Sequence, residues 1–234
     1  MIYYYIRYMG NGNLGERLLQ TTADGSHTLY LPAMDEHYHS INGAIGESEH
    51  IFVNAGLRSL TRREIRILEI GFGTGLNAFL TLREVMANLD WCVVYFAVEL
   101  YPLPFELATR LNYAGLAWPE GESLFLDLHR AEWGKPTQIT DRFVLHKIEG
   151  DANHVSLPDG IDLVYMDAFA PEKQPEMWNA ALYRRLVDAM APEATLVTYC
   201  AKGDVRRGLR DAGLSMERLP GPPGKRHILR GKKL

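Results

Sequence analysis

Cysteine is almost missing from this chain. Cys92 and Cys200 are the two in 234 residues, each within an apolar, strand-like run, so buried free thiols are expected rather than a disulfide or metal site. Long hydrophobic runs are missing as well. No segment approaches the roughly 18 apolar residues that cross a bilayer, and the tyrosine-rich Met1–Gly10 lacks a basic stretch followed by an apolar one. The expected location is the cytoplasm. Metal ligation is not expected either, although Asp35-Glu36-His37-Tyr38-His39-Ser40 crowds ligand types together. His37 and His39 do not share a helix face, and no second ligand pair at a recognised spacing follows; side chains that cap loops over a pocket fit this segment better.

What is present suits one α/β domain. With 47% hydrophobic and 23% charged residues, the chain can bury one substantial core. The expected division is an N-terminal extension over 1–60, a hairpin and a pocket-covering segment, followed by the main domain over 61–234. The net charge of −4 hides an asymmetry: residues 201–234 carry ten Lys/Arg against three Asp/Glu, leaving −11 for the first 200. A basic end on an acidic protein suits an anionic partner.

The chain is organised around Ile65 to Leu80. Ile65, Ile67, Leu68 and Ile70 form a short run of the kind buried in a parallel sheet. Gly71, Gly73 and Gly75 then permit a tight turn and a close approach to a ligand. Leu76, Phe79, Leu80, Leu82 and Val85 continue at helical spacing, so the turn feeds a helix N-terminus. Further strands are expected over 92–98, 143–148, 161–166 and 194–200, with helices over 102–113 and from Pro175, and an irregular insertion over 116–141. Leu18 to Leu31 reads as a hairpin turning at Asp24-Gly25. At the end, a basic helix over 205–212 stops at Gly213. The short runs after it are joined by Pro220-Gly221-Pro222-Pro223-Gly224, too short for a crossover, so they pair antiparallel.

Three acids end three strands. Glu99 lies 24 residues after Gly75, where a carboxylate meets a ribose diol. Asp151 beside Ala152 could accept from an exocyclic amine while the small neighbour leaves room for a flat ring. Asp167 begins Asp167-Ala168-Phe169-Ala170-Pro171 at the carboxyl edge of a central strand, where open α/β sheets place their chemistry. With the antiparallel hairpin, the expected fold class is α/β, fitting the class I S-adenosylmethionine-dependent methyltransferase architecture, a Rossmann-like sheet with an N-terminal β extension.

From Ala23 onward the chain resembles the MnmC-type tRNA methyltransferases. The resemblance rests on Thr22 to Tyr30, on Asp35 to Ser40 with Gly43-Ala44 and Glu47-Ser48, and on Gly71-Phe72-Gly73-Thr74-Gly75-Leu76-Asn77. It rests also on Asp167 to Pro171 with Met177-Trp178, and on Arg206-Arg207-Gly208-Leu209. It implies a methyltransferase without the family's flavin oxidase domain, moving a methyl group from S-adenosylmethionine to the amine of 5-aminomethyl-(2-thio)uridine at the tRNA wobble position. Other enzymes would install the aminomethyl group.

On that reading Asp167 is the catalytic residue, chiefly orienting the amine and secondarily accepting its proton, because a carboxylate beside an ammonium favours the charged, unreactive amine. Glu69, Gly71, Phe72, Gly73, Gly75, Asn77, Glu99, Asp151 and Ala152 would hold the cofactor. Phe169 would stack on the uracil, and Tyr30, Tyr38 and Ser40 would close the pocket. Lys202, Arg206, Arg207, Arg210, Lys225 and Arg226 would grip tRNA phosphates near the anticodon. A polyamine aminopropyltransferase of the same fold and a catalytically silent RNA-binding module are the alternatives. A nicotinamide oxidoreductase fits the glycine spacing and the terminal hairpin less well.

Overall fold

The computed structural model describes residues 15–234; the Met1–Gly10 segment considered above lies outside them. The N-terminal hairpin forms as expected, with β1 (Leu18–Thr21) antiparallel to β2 (His27–Leu31) and a short β3 (Glu36–His37) on its other side. The short helix α1 (Ala44–Ser48) and further helical turns to Ser59 lead into the main sheet. Its strands are β4 (Glu64–Ile70), β5 (Cys92–Glu99), β6 (Pro136–Thr140), β7 (Phe143–Glu149), β8 (Ile161–Met166), β9 (Met190–Thr198), β10 (Leu214–Pro220) and β11 (His227–Lys233), in the order β10-β11-β9-β8-β4-β5-β7-β6. Strands β4, β5, β7, β8 and β9 are parallel neighbours, while β6, β10 and β11 pair antiparallel.

Strand alternation builds two cores. Ile65, Ile67, Tyr95 and Tyr165 face one side of the sheet, where they meet α2 (Leu76–Ala87), α4 (Tyr113–Ala117) and α5 (Glu122–Arg130). Leu29, Ile51 and Phe52 from the N-terminal segment enter this same core. Leu68, Ile70, Phe96 and Met166 face the other side, covered by α6 (Ala180–Ala189) and α7 (Gly203–Asp211).

Several expected boundaries move, each for a local reason. The helix expected over 102–113 is broken into α3 (Phe105–Ala108) and α4. Asn112 lies at the break, with its side chain turned to the hairpin: Oδ1 accepts from His27 N at 2.8 Å and Nδ2 donates to Gly25 O at 2.9 Å. After Pro175 there is a single tight turn. The helix proper begins after Asn179, whose Oδ1 accepts from Leu182 N at 2.9 Å in an N-cap. Within the insertion, α5 and the edge strand β6 are regular. Cys92 corrects the thiol expectation: at the first residue of β5 it is exposed, and only Cys200 is buried; both are free.

Candidate active site

Strand β4 lies where the strand order reverses, between β5 and β8, the position at which open α/β sheets bind ligands. The glycine turn leaves its carboxyl end. Gly71 adopts φ 92, and a Cβ there would lie 2.8 Å from the Asp167 carbonyl oxygen, so only glycine lets the two loops approach so closely. Gly75, at φ 72, begins α2.

A cavity of about 200 Å3 opens above these strand ends. Of the expected residues, Gly71, Phe72, Gly73, Asn77, Glu99, Asp151, Ala152, Asp167, Phe169 and Tyr38 line it. Glu99 Oε2 accepts from Gly73 N at 2.9 Å and Oε1 from Tyr101 N at 2.8 Å, so this acid fixes the glycine turn as well as facing the cavity. Although partial burial raises Asp151, bonds from Asn153 N at 2.8 Å, Asn153 Nδ2 at 2.9 Å and the His154 ring at 3.0 Å hold it below the usual carboxylate range.

Asp167 is different. Burial drives its carboxyl well above the usual range, against the lowering effect of Asn77, whose Nδ2 donates to Asp167 Oδ2 at 2.8 Å. The same Nδ2 donates to Glu69 Oε1 at 2.9 Å. Glu69 is 1% exposed and sits beneath Asn77 rather than in the cavity wall; burial raises it too, with Asp167 adding like-charge repulsion.

A wall from the N-terminal segment closes the opposite side. Tyr38 stands edge-on to Phe169, with ring centroids 5.1 Å apart at 85°, and Arg17 Nε donates to the Tyr38 hydroxyl at 3.0 Å. Lys173, in the loop after Asp167, pairs with Asp35 at 3.4 Å. Trp178 Nε1 donates to Phe169 O at 2.7 Å, fixing the backbone that carries the ring.

Other expected residues lie outside this cavity wall. Tyr30 donates to Asp35 at 2.9 Å, and Ser40 N donates to Glu47 at 3.0 Å. Lys225 reaches Glu47 at 3.1 Å and lies 5.0 Å over the Tyr199 ring. Lys202 pairs with Glu172, Arg207 with Asp204, and Arg210 with Asp211, while Arg206 lies on α7 and Arg226 in the turn before β11.

Sequence reasoning missed Thr74, around which the glycine turn is held. His39 Nε2 lies 2.6 Å from its hydroxyl, the Tyr113 hydroxyl donates to it at 3.2 Å, and His129 Nε2 lies 3.2 Å from its carbonyl. His39 stood within a quoted motif; nothing in the sequence joined it to Thr74, 35 positions away. His37 instead meets Gln20 at 2.9 Å, so the two histidines serve separate contacts. Met34, Gln174 and Glu176 also line the cavity without having been singled out, as does Met177 from the Met177-Trp178 motif.

The donor set fits S-adenosylmethionine. A wall of Glu99, Asp151 and Asp167 suits a cation that also carries a diol and an amine-bearing ring, and the glycine backbone leaves room beside it.

Residues 134–234 match the S-adenosyl-L-methionine-dependent methyltransferase family. Among similar relatives, the protein named tRNA 5-methylaminomethyl-2-thiouridine biosynthesis bifunctional protein MnmC from Azoarcus sp. (strain BH72) is 33% identical over 227 residues, 88% of this chain and 34% of that protein. Its namesake from Aromatoleum aromaticum is 34% identical over 92% of this chain and 35% of that protein. The chain thus spans about a third of the length of these curated relatives. The crystal structure of MnmC2 from Aquifex aeolicus superposes with a TM-score of 0.76 at 26% identity, covering 94% of this chain and 72% of that one. Spermidine synthase from Thermotoga maritima gives 0.61 at 14% identity, over 97% of this chain and 72% of that one, a likeness of fold alone.

Proposed function

We propose that this chain is an S-adenosyl-L-methionine-dependent methyltransferase, the family that its residues 134–234 match, and that it methylates the amine of 5-aminomethyl-(2-thio)uridine at the wobble position of tRNA, giving the 5-methylaminomethyl nucleoside. The observation that carries this reading is a half-buried acid, Asp167, held by Asn77 at 2.8 Å and set beside the Phe169–Tyr38 ring pair in one cavity. Its relatives' names state the same biosynthesis.

When bound, S-adenosylmethionine supplies a sulfonium methyl group that an unprotonated amine can take by in-line displacement. The chain's part is to bind, align and deprotonate. Glu99 and Asp151 would hold the ribose and adenine ends, and the Gly71–Gly75 backbone the amino-acid end. Phe169 offers its face to a splayed-out base, and Tyr38 braces that ring from the edge. Asp167 accepts a hydrogen bond from the amine and then its proton. Its burial aids this step, because a carboxyl raised from its usual range is a stronger base than a solvated one. No nucleophilic side chain is needed. The lysines and arginines of α7 and the β10–β11 turn would meet phosphates, and a tRNA substrate fits a cytoplasmic location. The aminomethyl group must be in place beforehand, so an enzyme that installs it acts earlier.

Incubation with labelled S-adenosylmethionine and tRNA bearing 5-aminomethyl uridine, followed by nucleoside analysis, tests the proposal. Label is expected in the 5-methylaminomethyl nucleoside. Label on free polyamine alone, or on another nucleoside, overturns it.

A further inference from the structure

Asn77 contacts two acids with one nitrogen. Its Nδ2 donates to Glu69 at 2.9 Å and to Asp167 at 2.8 Å, which uses both amide hydrogens. Three atoms around this pair are buried without a hydrogen-bond partner: Glu69 Oε2, Asn77 Oδ1 and the Tyr95 hydroxyl. The Tyr95 hydroxyl faces Glu69. Burial outweighs what the Tyr95 hydroxyl and the Asn77 amide offer a charged Glu69 as donors, whereas a protonated Oε2 is itself a donor, and the unpartnered Asn77 Oδ1, which can only accept, needs one.

The surroundings say which acid keeps the proton. Glu69 is 1% exposed, and the groups facing it are Asn77 from α2, Tyr95 and Glu99 from β5, and Asp167. None carries a positive charge. Asp167 opens onto the cavity, and the groups facing it are Asn77, Glu69, Tyr95, Glu47, Tyr199 and the cation of Lys225. Burial raises both carboxyls, and the Asp167 charge raises Glu69 further. Two acids bridged by one amide nitrogen cannot ionise independently, so the pair titrates as a unit.

We propose that Glu69 is a positioning residue: its buried carboxyl holds the single proton of the Glu69–Asp167 pair, and Asn77 relays that arrangement, leaving Asp167 ionised toward the cavity as acceptor for the amine. This assignment of roles rests on the amine-methylation reading, but the place of the proton does not. In turnover the N–H bond of the alkylated amine breaks, an O–H bond forms on Asp167, and the proton leaves to water while that of Glu69 stays.

The test has two independent readouts. In the full chain, free of ligand, carbon NMR of the side-chain carboxyls is expected to show Glu69 protonated and Asp167 ionised at neutral pH. In Asp167→Asn the Glu69 midpoint is expected to fall, because the opposing charge is gone. A Glu69 ionised at neutral pH overturns the proposal. In turnover, ionisation of Glu69 at high pH adds a charge that favours the unreactive ammonium, so the wild-type kcat declines on the alkaline side. Glu69→Gln is expected to lose that decline and to keep more kcat than Glu69→Leu, which takes away the acceptor of Asn77. A Glu69→Gln variant that raises the KM for S-adenosylmethionine, with the wild-type kcat profile kept, makes Glu69 a cofactor contact and overturns the proposal. A protonated Glu69 in a protein that methylates no tRNA supports the proton's place and refutes the substrate.

Discussion

Thr74 has no chemistry to offer a methyl transfer, yet three side chains converge on it, and two of them are histidines that folding keeps neutral. Burial pushes His39 down to about 4 from 6.5, only partly opposed by Asp24. Burial, with the charge of Lys147, likewise takes His129 to about 4. The unfolded chain protonates these imidazoles below pH 6.5 while the folded one does not until about 4. Their contribution is therefore complete above the unfolded value and is lost as pH falls through that window. Glu69 and Asp167 act in the opposite sense, since their raised values make the folded state bind protons first. The single-residue change isolates one contribution. His39→Gln, which can still reach the Thr74 hydroxyl, is expected to lose stability less steeply than wild type between pH 6.5 and 4. The difference approaches about 1.4 kcal/mol per pH unit, less whatever solvent contact the half-buried ring retains. Chemical denaturation at a series of pH values measures it, and parallel slopes would show that His39 is charged in the fold.

At the scale of elements, legibility followed burial. β4, β5 and β8 stand out in the sequence because a strand covered on both faces is a near-continuous apolar run, β7 because Phe143 and Leu145 alternate with half-buried positions, and the acids at or just past their ends were readable for the same reason. β6 was hidden because Pro136-Thr137-Gln138-Ile139-Thr140 lies at the sheet edge with no fully buried residue. The break between α3 and α4 was hidden differently: Asn112 is compatible with a helix locally, and its partners His27 and Gly25 are more than 80 positions away. The Glu69–Asn77–Asp167 contact was half readable. All three residues were named, but their sharing of one amide depends on how close β4, α2 and β8 lie. The Asn112 tie is testable alone. Asn112→Ala leaves the His27 N–H and the Gly25 carbonyl without their partner, and each partly buried loss costs about 1 kcal/mol or more. Destabilisation of about 2 kcal/mol is expected in urea titration. A change below about 0.5 kcal/mol would mean that water replaces both bonds and that the hairpin docks through its apolar residues instead.

For the whole molecule, the charge asymmetry survives folding in a reduced form. Residues 201–234 carry ten lysines and arginines, but the basic residues expected to meet phosphate are not equally free. Lys202 is tied to Glu172, Arg207 to Asp204, Arg210 to Asp211 and Lys225 to Glu47. Arg206 and Arg226 have no acid partner among the described residues. The exposed pairs of Lys202, Arg207 and Arg210 are weak, about 0–1 kcal/mol, so a phosphate can displace them, yet the paired cations bring a local acid that repels the backbone and lowers their net worth. Arg206 and Arg226 bring none. Salt dependence separates the two groups, because each phosphate neutralised adds about 0.7–0.9 to the steepness of log affinity against log salt. Arg206→Gln with Arg226→Gln is therefore expected to weaken tRNA binding, flatten that plot by about 1.4–1.8 and leave S-adenosylmethionine binding as it was. Arg207→Gln with Arg210→Gln is expected to flatten it by less. Filter binding over a range of salt concentrations, with calorimetry for the cofactor, reads both. Equal slopes in wild type and the first double variant would move the tRNA surface away from α7 and the β10–β11 turn, since no loss of fold would leave cofactor affinity intact while sparing the salt slope.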